Sequence, residues 1–185
     1  MGELDEELER IGRAAQAHAA RVDELEAVIP AEPGGGRRFY LCSYAAGAER
    51  SWLALDEAGE PVADRSLVRD VVSIAAMCEI AEETAGGGGR LDELRAQLAD
   101  LRLTEHPEGI EEAEDAALAL EHAIGAPPRV ASPAHLDRIG EAVRRLELAL
   151  GDGAASPFAE AMKHAVGSVE ELKLEVESAY KGSLR

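Results

Sequence analysis

Aromatic residues are scarce in this sequence, and that scarcity limits the kind of core that the chain can build. Phenylalanine, tyrosine and tryptophan together make up 3% of the 185 residues, whereas apolar residues in total make up 46%. A core with few rings has to be filled by leucine, isoleucine, valine and alanine, and leucine and alanine are among the strongest helix formers. We therefore expect a mainly α fold. The chain is long enough to bury a core without disulfides or metals.

The N-terminal segment carries the most regular apolar pattern of the sequence. Its apolar positions alternate spacings of four and three residues, with acidic residues and arginine between them. The positions of this seam are Leu4, Leu8, Ile11, Ala15, His18, Val22, Leu25 and Ile29. Such a heptad repeat is typical of a helix with one apolar stripe, as in a coiled coil. The pattern predicts a helix within residues 1–30 that ends at Pro30.

The apolar seam of that helix has to be covered, and the sequence leaves two possible covers. One is the predicted C-terminal helix, whose seam from Phe158 to Val176 has the same spacing. The other is the same helix of a second copy, which would make the protein a homodimer. Ala15 and His18 place little apolar side-chain volume at the centre of the seam, which would weaken a homodimer. A net charge of −18 also opposes the approach of two copies. These features favour a cover within one chain.

Residues 37–63 form the one region with the composition of β-strands. Two runs rich in strand formers, Arg38–Tyr44 and Ser51–Leu55, flank a segment that contains Gly47. This arrangement predicts a small antiparallel hairpin inserted after the first helix. A short third strand, Glu60–Val62, would extend the hairpin to a three-stranded meander, and Pro61 would confine that strand to an edge.

Four of the six aromatic residues fall in the predicted hairpin and are candidates for an interaction surface. They are Phe39, Tyr40, Tyr44 and Trp52. Alternation along a strand puts Tyr40 and Tyr44 on one face and Phe39 on the other, so both faces are apolar. One face can cover the helices. The other meets either a second layer of the same chain or a partner protein, because tyrosine and tryptophan are favoured at protein contacts.

Apolar residues at helical spacing, separated by glycine and proline, continue from residue 64 to residue 182. Asp64 is a predicted N-cap, and Ser132-Pro133 and Ser156-Pro157 each open a further helix. Together with the N-terminal helix, these segments predict a bundle of about six helices with short connections. We expect the hairpin and the bundle to form one compact domain, in which residues 67–81 are the most buried helical segment.

The charge of the chain limits its partners. Acidic residues number 37 and basic residues 19, and no stripe of basic residues interrupts the acidic background. A net charge of −18 repels phosphate backbones, so we expect no binding to nucleic acid. The same charge favours a basic protein partner. No apolar run approaches the roughly 18 residues that cross a bilayer. No secretory leader is visible either, so we expect no membrane association and a cytoplasmic location.

Three polar residues are candidates for a pocket. Glu79 and Glu82 lie on the helix predicted to be the most buried, where a carboxylate near a core can act as an acid or a base. His18 lies in the N-terminal seam. The simpler interpretation is a solvated helix edge for the glutamates and a histidine engaged in ordinary contacts for His18. Glu160 and His164 lie four residues apart but lack the further ligands of a metal site, so no metal or other cofactor is predicted.

The motifs that identify common enzyme classes are absent from the sequence: no nucleophile elbow, zinc-type cysteine pair or dinucleotide fingerprint is present. The sequence therefore favours a non-enzymatic protein–protein interaction or regulatory module. The alternative is an enzyme or small-molecule-binding helical protein with a pocket between the hairpin and the helices. An exposed apolar patch would favour the first function, whereas a deep cavity with converging polar groups would favour the second.

Overall fold

A computed structural model gives the architecture and describes residues 2–19, 23–87, 90–103, 110–125, 129–150 and 156–181. The described part of the chain is mainly helical, with 65% helix, and a three-stranded antiparallel sheet follows the first helix. This confirms the prediction of a mainly α chain with a small antiparallel sheet after its first helix. The finer prediction, a single bundle of about six helices, stays a prediction.

One helix precedes the sheet, and the remaining helices follow it. The first helix is α1 (Glu3–His18), and the strands are β1 (Glu24–Ala31), β2 (Phe39–Ala46) and β3 (Glu49–Asp56). The helices after the sheet are α2 (Arg65–Gly86), α3 (Arg90–Leu103), α4 (Ile110–Ile124), α5 (Pro133–Ala149) and α6 (Pro157–Ser178).

Side chains cap two of these helices as the sequence predicts. The Asp64 carboxylate accepts the backbone N–H of Ser66 at 2.9 Å, which satisfies a donor in the first turn of α2. At the start of α6, Ser156 Oγ accepts the backbone N–H of Ala159 at 3.0 Å. Serine and aspartate therefore mark both helix starts, because their side-chain oxygens replace the missing intrahelical acceptors.

The predicted N-terminal helix is wrong over its last third, because Glu24–Ala31 form β1. β1 pairs antiparallel with β2, and a β-bulge shifts the register between Leu25 and Ala27. Although Val28 lies three positions after Leu25, both pack against the same cluster of buried residues between α1 and the sheet. The bulge explains this, since an extra residue returns the alternation of side chains to the same face. A spacing of three therefore arises here from a bulged strand rather than from a helix.

The third strand of the sheet is β1, not the predicted Glu60–Val62. The sheet has the order β1-β2-β3. The predicted third strand contributes only an isolated bridge between Leu55 and Pro61. By contrast, β2 and β3 form the predicted hairpin, and their eight residue pairs run without a register shift. Gly47 begins the tight turn between them. Its φ of 67° is a backbone conformation that residues with a Cβ rarely adopt.

The sheet covers the seam of α1, so both predicted covers are wrong for the seam residues in the cluster. Ile11 and Ala15 are fully buried against one face of the sheet. The buried members of this cluster are Ile11, Ala15, Tyr40, Cys42, Tyr44, Leu53 and Leu55. The aromatic strand face therefore takes the place assigned to the C-terminal helix or to a second copy. Val22, another predicted seam position, lies outside the described residues.

Contacts group the chain into two compact units. Unit 1 comprises Met1–Ala76, Pro128–Pro133 and Gly167–Arg185, and unit 2 comprises Met77–Pro127 and Ala134–Val166. α2 and α6 each contribute residues to both units. The predicted division was into residues 1–30, 37–63 and 64–182 within one compact domain. It was based on the composition of the sequence rather than on contacts, and it stays a prediction.

The core of unit 2 is built mainly from alanine and other aliphatic side chains, as the composition predicts. Its buried members are Ala81, Ala85, Leu98, Ala113, Ala116, Ala117, Leu120, Ala123, Ile139, Ala142, Val143 and Leu146. Alanine at these positions lets helices approach closely, because little side chain separates their backbones. The segment predicted to be the most buried, residues 67–81, contributes fully buried Val71 and Val72 to unit 1 and Ala81 to unit 2.

Candidate functional site: the outward face of α4

The four aromatic candidates are core residues in this structure. Phe39, Tyr40, Tyr44 and Trp52 each expose 6% of their surface or less. Of the two interpretations that the sequence left open, the structure therefore favours a second layer of the same chain over a partner surface. The reason is that neighbouring residues on both faces of β2 are buried, which leaves these rings no free area for a partner.

The two tyrosine hydroxyls of this core have different surroundings. Tyr44 Oη donates a hydrogen bond of 2.7 Å to the carbonyl oxygen of Ala15. The Tyr40 hydroxyl lies near the Glu7 carboxylate, but without the distance and alignment of a well-formed hydrogen bond. Burial raises the pKa of both hydroxyls, and Glu7 raises the pKa of Tyr40 further. Both therefore stay protonated near neutral pH.

Arg38 lies between two glutamates at the entry to β2. Its Nη1 is 2.5 Å from Glu7 Oε2, and its Nε is 3.0 Å from Glu32 Oε1. The Tyr40 hydroxyl and the Arg38 guanidinium hold the pKa of Glu7 below its usual value. The two glutamates therefore neutralise the charge of the guanidinium and accept its hydrogen bonds, and Arg38 connects α1 to the sheet.

An open groove of about 900 Å³ runs along α1 in unit 1. Charged side chains supply most of its lining, which consists of Glu3, Leu4, Glu6, Glu7, Glu9, Arg10, Arg13 and Arg38. Pockets for small molecules are usually enclosed and mostly apolar, with only a few polar groups that fix the ligand. This groove has the opposite character, so it does not favour the predicted alternative of a small-molecule pocket.

His18, one of the pocket candidates, contacts backbone at the end of α1. Its Nε2 lies 3.2 Å from the carbonyl oxygen of Gly59, so this nitrogen carries the proton. Gly59 has a φ of 84°, and a Cβ at this position would lie 2.8 Å from the Cβ of Ala14. The close approach of the turn to α1 therefore requires glycine, and His18 holds the same turn against the helix.

Glu82, a second pocket candidate, contacts a histidine that the sequence did not single out. Within unit 2, His135 Nε2 lies 2.7 Å from Glu82 Oε1, and His135 Nδ1 lies 3.3 Å from Arg138 Nη2. Because arginine only donates, Nδ1 accepts and Nε2 donates to the carboxylate. Both ring nitrogens of His135, which is 2% exposed, are thus engaged. Glu79, the third candidate, is exposed and does not join this cluster.

The distance along the chain between these residues explains why no sequence pattern indicated the cluster. Glu82 lies on α2 and His135 on α5, 53 residues apart. No local motif records a contact over that distance. The arrangement resembles the orienting pair of a general base, but His135 has no ring nitrogen left for a substrate. The pair therefore fastens α2 to α5 inside unit 2.

The described part of the chain shows no arrangement of residues for metal binding, and the thiol of Cys42 is not set up to react. No group of three histidine, cysteine, aspartate or glutamate side chains in that part could hold a metal ion. Burial raises the pKa of the Cys42 thiol to about 12, so the thiolate that would act as a nucleophile does not form at neutral pH. The expectation of a chain without cofactors stays a prediction.

α4 has one face in the core of unit 2 and one face that is exposed and acidic. Alanine and leucine form the buried face: Ala113, Ala116, Ala117, Leu120 and Ala123. The outward face consists of Glu111, Glu112, Asp115, Leu118, Ala119, Glu121 and His122. With Glu114, the helix contains five acidic residues and no lysine or arginine. Its outward face therefore presents a one-sided negative field.

Leu118 is the large apolar side chain on this face and has 51% of its surface exposed. It borders a groove of about 300 Å³ between α3 and α4 in unit 2. The lining of the groove is Arg95, Leu98, Ala99, Glu114, Ala117, Leu118 and Glu121. Arg95 Nη2 lies 2.6 Å from Glu121 Oε1, so this arginine is neutralised at the rim. The groove thus combines apolar residues with an acidic border.

A leucine outside the apolar spacing was the sequence signal for this face. The buried positions of α4 repeat through Ala113, Ala117 and Leu120. Leu118 falls between these positions, among acidic residues, where packing against the core does not account for it. The regular apolar spacing of the helix does not include Leu118, so that spacing alone does not indicate a surface at this position.

Comparison with protein-family models, curated proteins and solved structures found no match to the chain. No helix in the described part of the chain has the length and the apolar character needed to span a membrane.

Proposed function

We propose that the protein is a non-enzymatic, cytoplasmic protein-binding module that recognises a basic segment of a partner protein through the outward face of α4. The observation that carries this proposal is the exposure of Leu118 within an acidic helix face that borders an apolar groove. A basic amphipathic helix fits this surface, because its apolar stripe would cover Leu118 while lysine or arginine would pair with the surrounding carboxylates.

The charge of the chain supports a basic partner. A net charge of −18 attracts a basic segment from a distance, and the carboxylates of α4 give that attraction a local direction. The same field disfavours nucleic acid. Because exposed charges are screened over about 10 Å at 0.1 M salt, affinity should fall as salt is added.

The apolar contribution of Leu118 is modest but measurable. Complete burial of a leucine side chain is worth about 1.5–3 kcal/mol, and about half of this side chain is already covered. Covering the rest should therefore contribute about 1 kcal/mol, which corresponds to roughly a fivefold change in Kd. Charges around Leu118 then supply orientation and a salt-dependent share of the affinity.

The test uses a fluorescent, lysine-rich amphipathic peptide with a single leucine stripe, and it measures binding by anisotropy at several salt concentrations. The charge variant is Glu111→Lys with Asp115→Lys. Its matched control is Glu79→Lys with Glu83→Lys, which makes the same charge change at the same spacing on exposed positions of α2. We expect the α4 variant to weaken binding about tenfold and the α2 control to weaken it by less than about threefold.

A second pair of variants separates apolar contact from charge. Leu118→Ser should weaken peptide binding roughly fivefold, whereas Leu174→Ser, at a position that is 64% exposed on α6, should leave it unchanged. Equal losses in both charge variants, together with no effect of Leu118→Ser, would show a diffuse attraction to an acidic protein and would contradict the proposed surface.

A further inference from the structure

The carboxylates around Leu118 are distributed unevenly along α4. Asp115 lies three residues before Leu118 and Glu121 three residues after it, so each is one turn from the leucine on the exposed face. Towards the start of the helix, Glu111 adds a further exposed carboxylate on the same face. Towards the end of the helix, Glu121 is the last acidic residue, and His122 follows it. The two sides of Leu118 therefore differ in their number of acidic groups.

Arg95 of α3 increases that difference, because it pairs with the carboxylate that follows Leu118. Its Nη2 lies 2.6 Å from Glu121 Oε1, and its Nη1 lies 3.7 Å from Asp92 Oδ1. The hydrogen bond and the charge of Arg95 hold the pKa of Glu121 below its usual value. Asp115, at the matching position before Leu118, forms no ion pair with any described residue. The carboxylate is thus neutralised on one side of Leu118 and unpaired on the other.

The ion pair makes the field around Leu118 one-sided. Opposite charges a few ångströms apart largely cancel at a distance, and exposed charges are screened over about 10 Å at 0.1 M salt. A lysine that approaches the start of α4 therefore meets uncompensated carboxylates. A lysine that approaches Glu121 also meets the guanidinium of Arg95, which is the basic group in the lining of the groove. Only the first approach gains a net attraction from its immediate surroundings.

We propose that Arg95 sets the kind of basic segment that the face of α4 accepts: a helix whose basic residues lie on one side of the apolar residue that covers Leu118. This inference rests on the proposed function and specifies the partner of that surface. A helix with basic residues on both sides would place half of them beside Arg95, where they meet a like charge. The requirement concerns the distribution of charge and not the chain direction, because reversing the helix exchanges its two ends.

The experiment compares two fluorescent peptides of identical composition, each with the same leucine stripe and the same number of lysines. In the one-sided peptide every lysine follows the central leucine, whereas in the two-sided peptide half precede it and half follow it. Anisotropy with the full chain gives Kd, and circular dichroism checks that the free peptides are equally helical. Exposed ion pairs each change affinity by a small factor, so we expect the two-sided peptide, which loses about two of them, to bind about fivefold more weakly. The ratio of the two Kd values cancels the diffuse attraction, because both peptides carry the same charge.

Arg95→Gln tests whether this arginine causes the preference. The variant leaves Glu121 without its guanidinium partner, so the two-sided peptide should bind more tightly and the ratio should fall below about twofold. The matched control is Arg144→Gln, which removes the same charge from an exposed ion pair with Glu141 on α5 of unit 2. This control should keep the fivefold ratio, because Arg144 is absent from the lining of the groove.

Equal affinities of the two peptides for the native chain would overturn this inference, and so would a ratio that Arg95→Gln leaves unchanged. If Arg95→Gln fails to fold, the ratio for the native chain decides. Either result leaves the proposed function standing as long as Leu118→Ser still weakens binding of the peptides. Binding that is insensitive to Leu118→Ser and equally sensitive to both pairs of glutamate and aspartate variants would overturn the proposed function and this inference together.

Discussion

Replacing Ile11 by alanine tests the packing of α1 on the sheet. Ile11 is fully buried in the cluster that contains Tyr40 and Tyr44. The substitution removes three carbon atoms, which at about 0.8 kcal/mol each gives roughly 2.4 kcal/mol of lost burial, and the cavity adds to this cost. The better helix propensity of alanine returns less than about 0.7 kcal/mol. The expected loss in the free energy of unfolding is therefore about 2–4 kcal/mol.

Urea denaturation followed by tryptophan fluorescence measures this loss in the relevant unit. Trp52 is the single tryptophan of the chain and is 6% exposed within unit 1, so its emission reports unfolding of the sheet. With a urea dependence of about 2 kcal/mol per molar, the midpoint should fall by about 1–2 M. Leu174→Ala, at a position that is 64% exposed, is the control and should shift the midpoint by less than about 0.3 M.

Two outcomes would refute the reasoning behind this prediction. A midpoint shift below about 0.5 M for Ile11→Ala would mean that the side chain is not enclosed by the sheet. A midpoint that rises with protein concentration in the native chain would mean that a second copy contributes to the cover of α1, which was the less favoured of the two predicted covers. We expect the midpoint to be independent of concentration, because the cover lies within unit 1.

Three further predictions concern polar groups. Tyr44→Phe should lower the free energy of unfolding by about 1–2 kcal/mol, because the carbonyl of Ala15 loses its buried donor. Tyr40→Phe should lower it by less, because the Tyr40 hydroxyl lacks a well-formed hydrogen bond. Urea denaturation compares the two variants. Glu7→Gln should lower the urea midpoint at pH 7, and the difference from the native chain should shrink as the pH falls below 4.5. The lowered pKa of Glu7 gives a stabilisation that is present above the ordinary value of 4.5 and is lost as the pH falls through the lowered value. His135→Leu should lower the thermal midpoint of unit 2, observed by circular dichroism, because it breaks the bond to α2.

Local chemistry accounts for the parts of the fold that the sequence predicted. The hairpin of β2 and β3 was predictable because strand formers flank Gly47, and only glycine readily adopts the positive φ of that turn. Helix starts at Asp64 and Ser156 were predictable because a capping side chain acts on backbone groups two or three residues away. In each of these cases the cause and the effect lie within a few residues.

Long-range pairing accounts for the parts that were missed. The segment Glu24–Ala31 contains apolar residues at both helical and alternating spacing, and pairing with β2 decided between them. That pairing cannot be read locally, because the bulge beside Leu25 breaks the simple alternation of a strand. The contact of Glu82 with His135 has the same origin, since two helices distant in sequence bring the side chains together.

The face of α4 shows why an exposed leucine alone does not define a binding surface. Leu148 and Leu174 are more exposed than Leu118, and single exposed leucines are common on protein surfaces. Leu118 borders a groove and is surrounded by carboxylates, and its helix, unlike those of Leu148 and Leu174, contains no lysine or arginine. The buried face of that helix is largely alanine, so its own packing does not require a leucine at this position. The proposed function therefore depends on the combination of exposure, groove and charge, which is why the variants of Leu118 and Leu174 discriminate between a built surface and chance exposure.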